Sequence, residues 1–257
     1  VAEGRLAPFL GGWLTSQFSW QGLLFVLTGH VAVSLAIGYR FLPRGLGKGN
    51  KVEVKGAANQ YLTFLMDGRF ILPALFKWMP TLLYLTSATF LPFMVQQGLG
   101  MSPKEYGLAM MLPALGLILG TVLAKALQSY LGIATQLMCF LPLLFLAGLG
   151  FSLLPFSLVN VLLSYSLFMI GAGAFYTLSL NLLIEPFEQH TGSVNALCGA
   201  MDMLVFSVLA LVVNRYWVKD MAGLGQFYLV VTFVLLVAGI VIFYRASRPK
   251  VLIETSA

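Results

Sequence analysis

The 257-residue chain carries few charged residues for its length. Hydrophobic residues make up 59% of it and charged residues 9%, and its mean hydropathy is +0.90, whereas an ordinary globular chain carries roughly 25% charged residues. This composition excludes a soluble domain, because so few charges cannot cover a surface in contact with water. The net charge of +6 does not indicate nucleic-acid binding, since the basic residues fall mainly in one loop and at the C-terminus.

Apolar stretches long enough to cross a bilayer follow one another along the chain. About 20 helical residues cross about 30 Å of hydrocarbon, so we predict an all-α integral membrane protein with about seven transmembrane helices. Residues 1–14 are too short to cross unless residues upstream of Val1 extend them, and we expect such a preceding segment. The predicted spans are 20–42, 70–96, 106–126, 132–154, 158–184, 192–216 and 223–244.

The basic residues predict the orientation of these spans. Residues 43–69 form a polar, lysine- and glycine-rich loop, in which 59–66 predict a short amphipathic helix on the membrane surface. Cytoplasmic loops carry the excess of Lys and Arg, which places this loop and the C-terminus in the cytoplasm. The inside set is Arg40, Arg44, Lys48, Lys51, Lys55, Arg69, Lys125, Arg245, Arg248 and Lys250, and the outside set is Lys104, Arg215 and Lys219.

Two charged residues fall deep inside predicted spans. Lys77 lies eight residues past Arg69, and Asp202 lies ten past Gly192, which are depths of about 12 and 15 Å from the cytoplasmic helix ends at 1.5 Å per residue. A charge at the centre of a membrane helix costs roughly 2.5–3.5 kcal/mol on insertion scales. If their helices are neighbours, the two side chains can form a coupling or substrate-binding pair, or a static structural one; Lys77 can also extend to the near interface.

Small residues predict where helices approach each other closely. Gly116 and Gly120 form a GxxxG pair, and residues 171–173 read Gly-Ala-Gly. Helices in lipid associate through close backbone contact at such residues. We interpret both segments as packing sites without chemistry.

Methionine and aromatic side chains occur at mid-membrane depth in several spans. Methionine adapts to irregular shapes, which suits a cavity that accepts varied apolar molecules. Ordinary packing explains any single one of them equally well. The candidate lining residues are Tyr84, Met110, Met111, Tyr176 and Met201.

The sequence contains no recognisable catalytic set. A Ser-His-Asp, Cys-His or HExxH arrangement is absent. Glu185, Glu188 and His190 fit a solvated turn around Pro186 better than a metal site, because a second histidine is missing. We therefore predict no enzyme activity, no metal and no cofactor.

Short motifs, in order along the chain, resemble one family. Residues 6–14 read Leu-Ala-Pro-Phe-Leu-Gly-Gly-Trp-Leu, and Pro8, Gly11 and Gly12 are similar to the end of the helix-five motif of major facilitator superfamily drug:proton antiporters. Four further segments are similar to the MdfA-type multidrug transporters of that superfamily. They are Asp67-Gly-Arg-Phe70, Tyr106-Gly-Leu108, Gly192-Ser-Val-Asn-Ala196 and Met201-Asp-Met-Leu204.

The resemblance implies a twelve-helix fold of two six-helix halves, with substrate bound near the midplane between them. This chain would supply the tail of helix five and helix six (1–42), the basic cytoplasmic central loop (43–69), the C-terminal six-helix bundle (70–247) and a cytoplasmic tail (248–257). The remaining N-terminal half would come from the same chain or from a separate one.

The resemblance also implies a function in a bacterial inner membrane. A proton-coupled secondary transporter would export multidrug-like molecules or metabolites by alternating access, with protons, a small-molecule substrate and the lipid bilayer as its partners. In that family the proton-exchanging acidic groups lie in the first helix, outside this chain. Lys77 and Asp202 occupy positions that look apolar and amide-bearing there. An exporter of a specific anionic or zwitterionic metabolite or siderophore is therefore one alternative, and a non-transporting scaffold derived from a carrier half is another.

Overall fold

Helices account for almost all of the described chain. A computed structural model describes residues 20–41 and 54–246, and no strand occurs in these two ranges. The motif residues Pro8, Gly11 and Gly12 and the predicted tail 248–257 lie outside the described residues. The α-helices are α1 (Trp20–Phe41), α2 (Val54–Met66), α3 (Gly68–Leu99), α4 (Pro103–Ala109), α5 (Met111–Leu127), α6 (Ile133–Leu153), α7 (Leu158–Ile184), α8 (Thr191–Ala200), α9 (Ser207–Tyr216) and α10 (Met221–Ala246).

Six continuous helical stretches within the described ranges are long and apolar enough to cross a membrane. The longest, Leu158–Tyr216, has 59 residues, more than twice the roughly 20 that one crossing needs. A 3₁₀ turn at Glu185–His190 interrupts it, and Phe187 leaves helical geometry there with φ −131° and ψ 37°. This stretch therefore contains two crossings, and the predicted number of about seven is confirmed.

Local sequence signals set the ends of several helices. The Asp67 side chain accepts a hydrogen bond from the backbone N–H of Arg69 at 2.8 Å and so caps α3. The guanidinium of Arg69 also donates to this carboxylate, and the two kinds of hydrogen bond hold the pKa of Asp67 below its ordinary value. Gly100 ends α3 with a φ of 65°, which favours glycine. Ser102 and Glu105 cap α4 reciprocally. The cap at Asp67 explains why α3 starts two residues before the predicted boundary.

The predicted short helix is found as α2, which begins five residues earlier than expected and contacts protein through Phe64. Its location on the membrane surface stays a prediction. Phe64 is only 5% exposed, and its ring lies 5.9 Å from that of Phe70 and 5.1 Å from that of Phe187, between centroids. The Nε2 atom of Gln60 lies 2.9 Å from Nδ1 of His190. These five residues, which we call the Phe64 cluster, attach α2 to the start of α3 and to the turn before α8.

Glycines allow two helices of the bundle to touch through their backbones. Helix α5 packs along α7, while α6 packs on α7 and α10, and α3 on α7, α9 and α10. A Cβ atom added at Gly120 would lie 1.8 Å from the carbonyl oxygen of Ile170, and one at Gly173 would lie 2.1 Å from that of Leu117. Only glycine fits at these two positions, so both predicted small-residue segments pack tightly.

The side chains of α1 are more exposed than those of the other crossings. None of the residues in its apolar window Leu24–Phe41 is buried, and large apolar side chains such as Phe25, Leu35 and Tyr39 are exposed. An apolar helix that is exposed on all sides suits a surrounding of lipid or of further membrane helices.

We expect Gly120→Ala to destabilise the full-length protein by about 1–3 kcal/mol, the usual range for overpacking. The added methyl group would overlap the Ile170 backbone, so α5 and α7 would have to separate. Thermal unfolding of the purified protein in detergent measures this. Gly192→Ala is the matched control, because a Cβ there meets nothing within 4 Å; equal unfolding temperatures for the two variants would contradict the packing described.

We expect Phe64→Ala to detach α2 from the bundle, because this ring is the buried centre of the Phe64 cluster. Limited proteolysis of the folded protein should then cut faster within residues 54–66. Leu62→Ala changes a neighbouring but exposed side chain and should leave the cleavage rate as in the wild type. A Phe64→Ala protein that is cut no faster would show that α2 is held by other contacts.

Candidate functional site

Lys77 and Asp202 form an ion pair inside the bundle. The Nζ atom of Lys77, on α3, donates to Oδ2 of Asp202, and the two side chains are 15% and 11% exposed. The structure therefore brings together the two charged residues that the sequence places at similar depths. Opposite charges in a low-dielectric surrounding stabilise each other and offset part of the desolvation of each.

Asp202 lies in a π-helical segment, Met201–Phe206, which joins α8 to α9. The wider turn changes the direction of the side chains relative to an α-helix, and such segments occur often at functional sites. The hydroxyl of Ser207 donates to the backbone carbonyl of Asp202 at 3.3 Å. The π-helical segment was not predicted, because the apolar pattern across these residues continues without a break.

One oxygen of the Asp202 carboxylate is left without a partner. Oδ1 is buried and makes no hydrogen bond within the part of the chain that the structure describes. An ionised carboxylate has about four acceptor positions, so the carboxylate retains acceptor capacity beside its bond to Lys77. This oxygen can accept from a further donor without breaking the ion pair.

Tyr176 is connected to the ion pair through Thr81. The hydroxyl of Thr81 donates to the backbone carbonyl of Lys77 at 2.9 Å, and its oxygen lies 3.4 Å from the hydroxyl oxygen of Tyr176. Tyr176, on α7, is also close enough to Asp202 and to Tyr84 to interact with them electrostatically. Three crossings thus contribute polar groups to one region.

The remaining predicted lining residues lie on different helices and differ in exposure. Tyr84 is 41% exposed and Met201, next to Asp202, is half-buried. Met110 is buried at the joint between α4 and α5, and Met111 is half-buried beside it. Met110 is the residue before the 17-residue α5, and Met111 is the first residue of that helix.

The predicted solvated turn is found at Glu185–His190, where Glu185, Glu188 and His190 are exposed. His190 contacts Gln60 and the ring of Phe64 in the Phe64 cluster. Within residues 20–41 and 54–246, no group of three His, Cys, Asp or Glu side chains is arranged to hold a metal ion.

Comparison of the sequence with known proteins places the chain in a family. Residues 5–210 match the Major Facilitator Superfamily, which is more than half of the chain. The chain belongs to the Major Facilitator Superfamily.

Three bacterial proteins illustrate the similarity in more detail. Multidrug transporter MdfA of Escherichia coli O6:H1 and of Escherichia coli O157:H7 are each 24% identical over 259 residues, which cover 95% of this chain and 60% of the relative. Multidrug transporter MdfA of Shigella boydii serotype 4 is 26% identical over 240 residues, covering 87% and 55%. The chain thus spans a little over half the length of these curated relatives. The predicted resemblance to MdfA-type transporters is confirmed.

We expect Lys77 and Asp202 to make a joint, non-additive contribution to the free energy of unfolding. Lys77→Met and Asp202→Asn should each destabilise the full-length protein by about 3 kcal/mol, because each leaves a buried charge without its partner. The double variant should lose less than the sum of the two. Thermal unfolding of the four proteins of this double-mutant cycle measures the difference, and strictly additive losses would show that the two side chains do not interact.

Proposed function

We propose that this chain forms the C-terminal portion of a proton-coupled secondary transporter, which exports small molecules by alternating access. The observation that carries the proposal is the buried Lys77–Asp202 ion pair at the contact of α3 with the π-helical segment. A closed pair carries no net charge. A proton or a charged substrate that binds one partner releases the other, which is the property that coupling requires.

The surroundings of the pair support a substrate cavity. Hydroxyl and aromatic surface near the charges comes from Tyr176 on α7 and from Thr81 and Tyr84 on α3. The site therefore offers both apolar contact and hydrogen bonding. Met201 adds a flexible apolar side chain next to Asp202. A mixed lining of this kind suits substrates of varied shape, in agreement with the multidrug names of the relatives.

We further propose that the cavity closes against a second six-helix bundle, supplied by the same chain or by a separate one. Inverted-repeat transporters bind substrate between two bundles and rock one against the other, so the C-terminal bundle by itself would not transport. The exposed apolar surface of α1 suits contact with such a bundle and with lipid. The proposed location is a bacterial inner membrane, with the C-terminus in the cytoplasm.

Lys77 supports one alternative substrate class. Its ammonium group is a cation at the proposed site, and a cation recognises carboxylate or other acidic groups. Export of a specific anionic or zwitterionic metabolite or siderophore is therefore the second candidate. Transport measurements with substrates of opposite charge separate it from multidrug export.

The test uses everted membrane vesicles that contain the full-length protein and are energised by a proton gradient. Ethidium serves as a cationic probe and carboxyfluorescein as an anionic one. We expect uptake of at least one probe that collapses when a protonophore is added, and at least a tenfold loss of rate in Lys77→Leu and in Asp202→Gln, equivalent to about 1.4 kcal/mol. Preference for carboxyfluorescein would favour the second candidate.

Lys125→Leu is the matched control, because this lysine is exposed in the last turn of α5 and outside the pair. Its rates should equal those of the wild type. Unchanged transport and unchanged pH dependence in both Lys77→Leu and Asp202→Gln would refute a coupling role for the pair. Transport that is insensitive to the protonophore would refute proton coupling.

A further inference from the structure

Two unpaired hydrogen-bonding groups lie at the same crossing of α3 with the π-helical segment. One is the acceptor Oδ1 of Asp202, and the other is the donor Nε1–H of Trp78, which follows Lys77 in the chain. Both atoms are buried and lack a hydrogen-bond partner among the described residues. The residues themselves are 8% and 4% exposed. A buried donor and a buried acceptor that are both unsatisfied destabilise the state in which they occur.

Ring packing places Trp78 about one helical turn from Asp202. The indole lies 5.6 Å from the ring of Phe206, between centroids, and Phe206 follows Asp202 by four residues, about one helical turn on the same side. Lys77, the neighbour of Trp78, already contacts Asp202. Asp202 therefore has a lysine donor on one carboxylate oxygen, and the indole of Trp78 packs about one helical turn away from it.

Opening of the ion pair leaves the carboxylate of Asp202 in need of another hydrogen-bond donor. When Lys77 leaves, a carboxylate without any donor would remain in a low-dielectric surrounding, which is strongly unfavourable. A hydrogen bond from an uncharged N–H to a carboxylate recovers part of this loss. Asp202 belongs to the π-helical segment, whose backbone hydrogen bonds follow a wider pattern than those of an α-helix.

We propose that Trp78 is a positioning residue for Asp202, whose indole N–H becomes the donor to the carboxylate when Lys77 is released. Asp202 thus alternates between two donors on α3, a charged one and a neutral one. This inference rests on the proposed function only in that transport is what opens the pair. The exchange of donors itself can be observed without any transport.

The first experiment detects the exchange by NMR of the full-length protein labelled with ¹⁵N-tryptophan in detergent micelles. Trp78→Phe assigns the Trp78 indole signal. In Lys77→Met, which removes the charged donor, we expect this signal to move downfield, because the N–H bonds to Asp202. The shift should vanish in the double variant Lys77→Met with Asp202→Ala. An unmoved signal in Lys77→Met, or the same shift in the double variant, would overturn the proposal.

The indole of Trp217 serves as the reference within the same spectra. It packs against Phe227, with 5.5 Å between ring centroids, near the end of α9. Its signal should stay in place in all variants. Movement of both signals together would indicate a general rearrangement of the fold instead of a local exchange, and would also count against the proposal.

The second experiment measures the pH profile of ethidium transport in vesicles. The titratable groups close to Asp202 are Lys77 on α3, Tyr176 on α7 and Cys198 on its own helix, and Trp78→Phe leaves all of them in place. It keeps an aromatic ring against Phe206 but removes the N–H, which disfavours the ionised carboxylate. We expect the acid limb of the profile to move to higher pH by about one unit, whereas Trp217→Phe should leave it unchanged.

The two experiments separate the failure of this inference from that of the proposed function. If the wild type does not transport, the proposed function fails and the NMR result alone decides the role of Trp78. If transport is proton-coupled but Trp78→Phe has the wild-type profile and the NMR signal is unmoved, the proposed function stands and the role of Trp78 is refuted.

Discussion

The inability of hydrocarbon to solvate charge is the constraint on which the rest of this structure depends. Lys77 and Asp202 are stable inside the bundle because each is the other's partner. Their contact requires that α3 and the π-helical segment lie side by side, although 125 residues separate the two side chains in sequence. The same physics makes the pair sensitive to protons and charged ligands, since any group that binds one partner must compensate the other.

The same solvent restricts how the helices can be held together. Lipid offers apolar side chains no advantage from mutual contact, so helices in a bilayer associate through close approach and hydrogen bonds. The backbone contact of α5 with α7 at Gly120 and Gly173 meets the first condition. The hydrogen bond between Ser87 and Tyr228, at 2.7 Å between their oxygens, meets the second by joining α3 to α10 in the buried interior. Together these contacts give α3 rigid neighbours against which the ion pair is held.

The Phe64 cluster contacts both segments of the chain that precede the two charges. Phe64 on α2 contacts Phe70 near the start of α3 and Phe187 just before α8. Lys77 lies two turns further along α3, and Asp202 lies directly after α8. Phe64 therefore packs at the ends of both segments that lead to the ion pair.

The sequence by itself determined the class of protein, the number of crossings and the identity of the two charged residues. These follow from local properties: hydropathy over about 20 residues, and the exclusion of charge from hydrocarbon. The family resemblance was also readable, because the motifs Asp67 to Phe70 and Gly192 to Ala196 are contiguous. The role of Lys77 and Asp202, like that of the other lining candidates, stays a prediction.

Only the tertiary structure decided which distant side chains meet and which stay apart. Hydropathy does not reveal the π-helical segment, because it changes the backbone hydrogen-bond pattern and leaves the apolar pattern as it was. The unpaired groups of Trp78 and Asp202 become visible only when their neighbours are known, since satisfaction of a hydrogen bond is a property of the packed chain. The contact of α2 with Phe187 likewise depends on the tertiary structure, because the packed bundle brings residue 64 to residue 187.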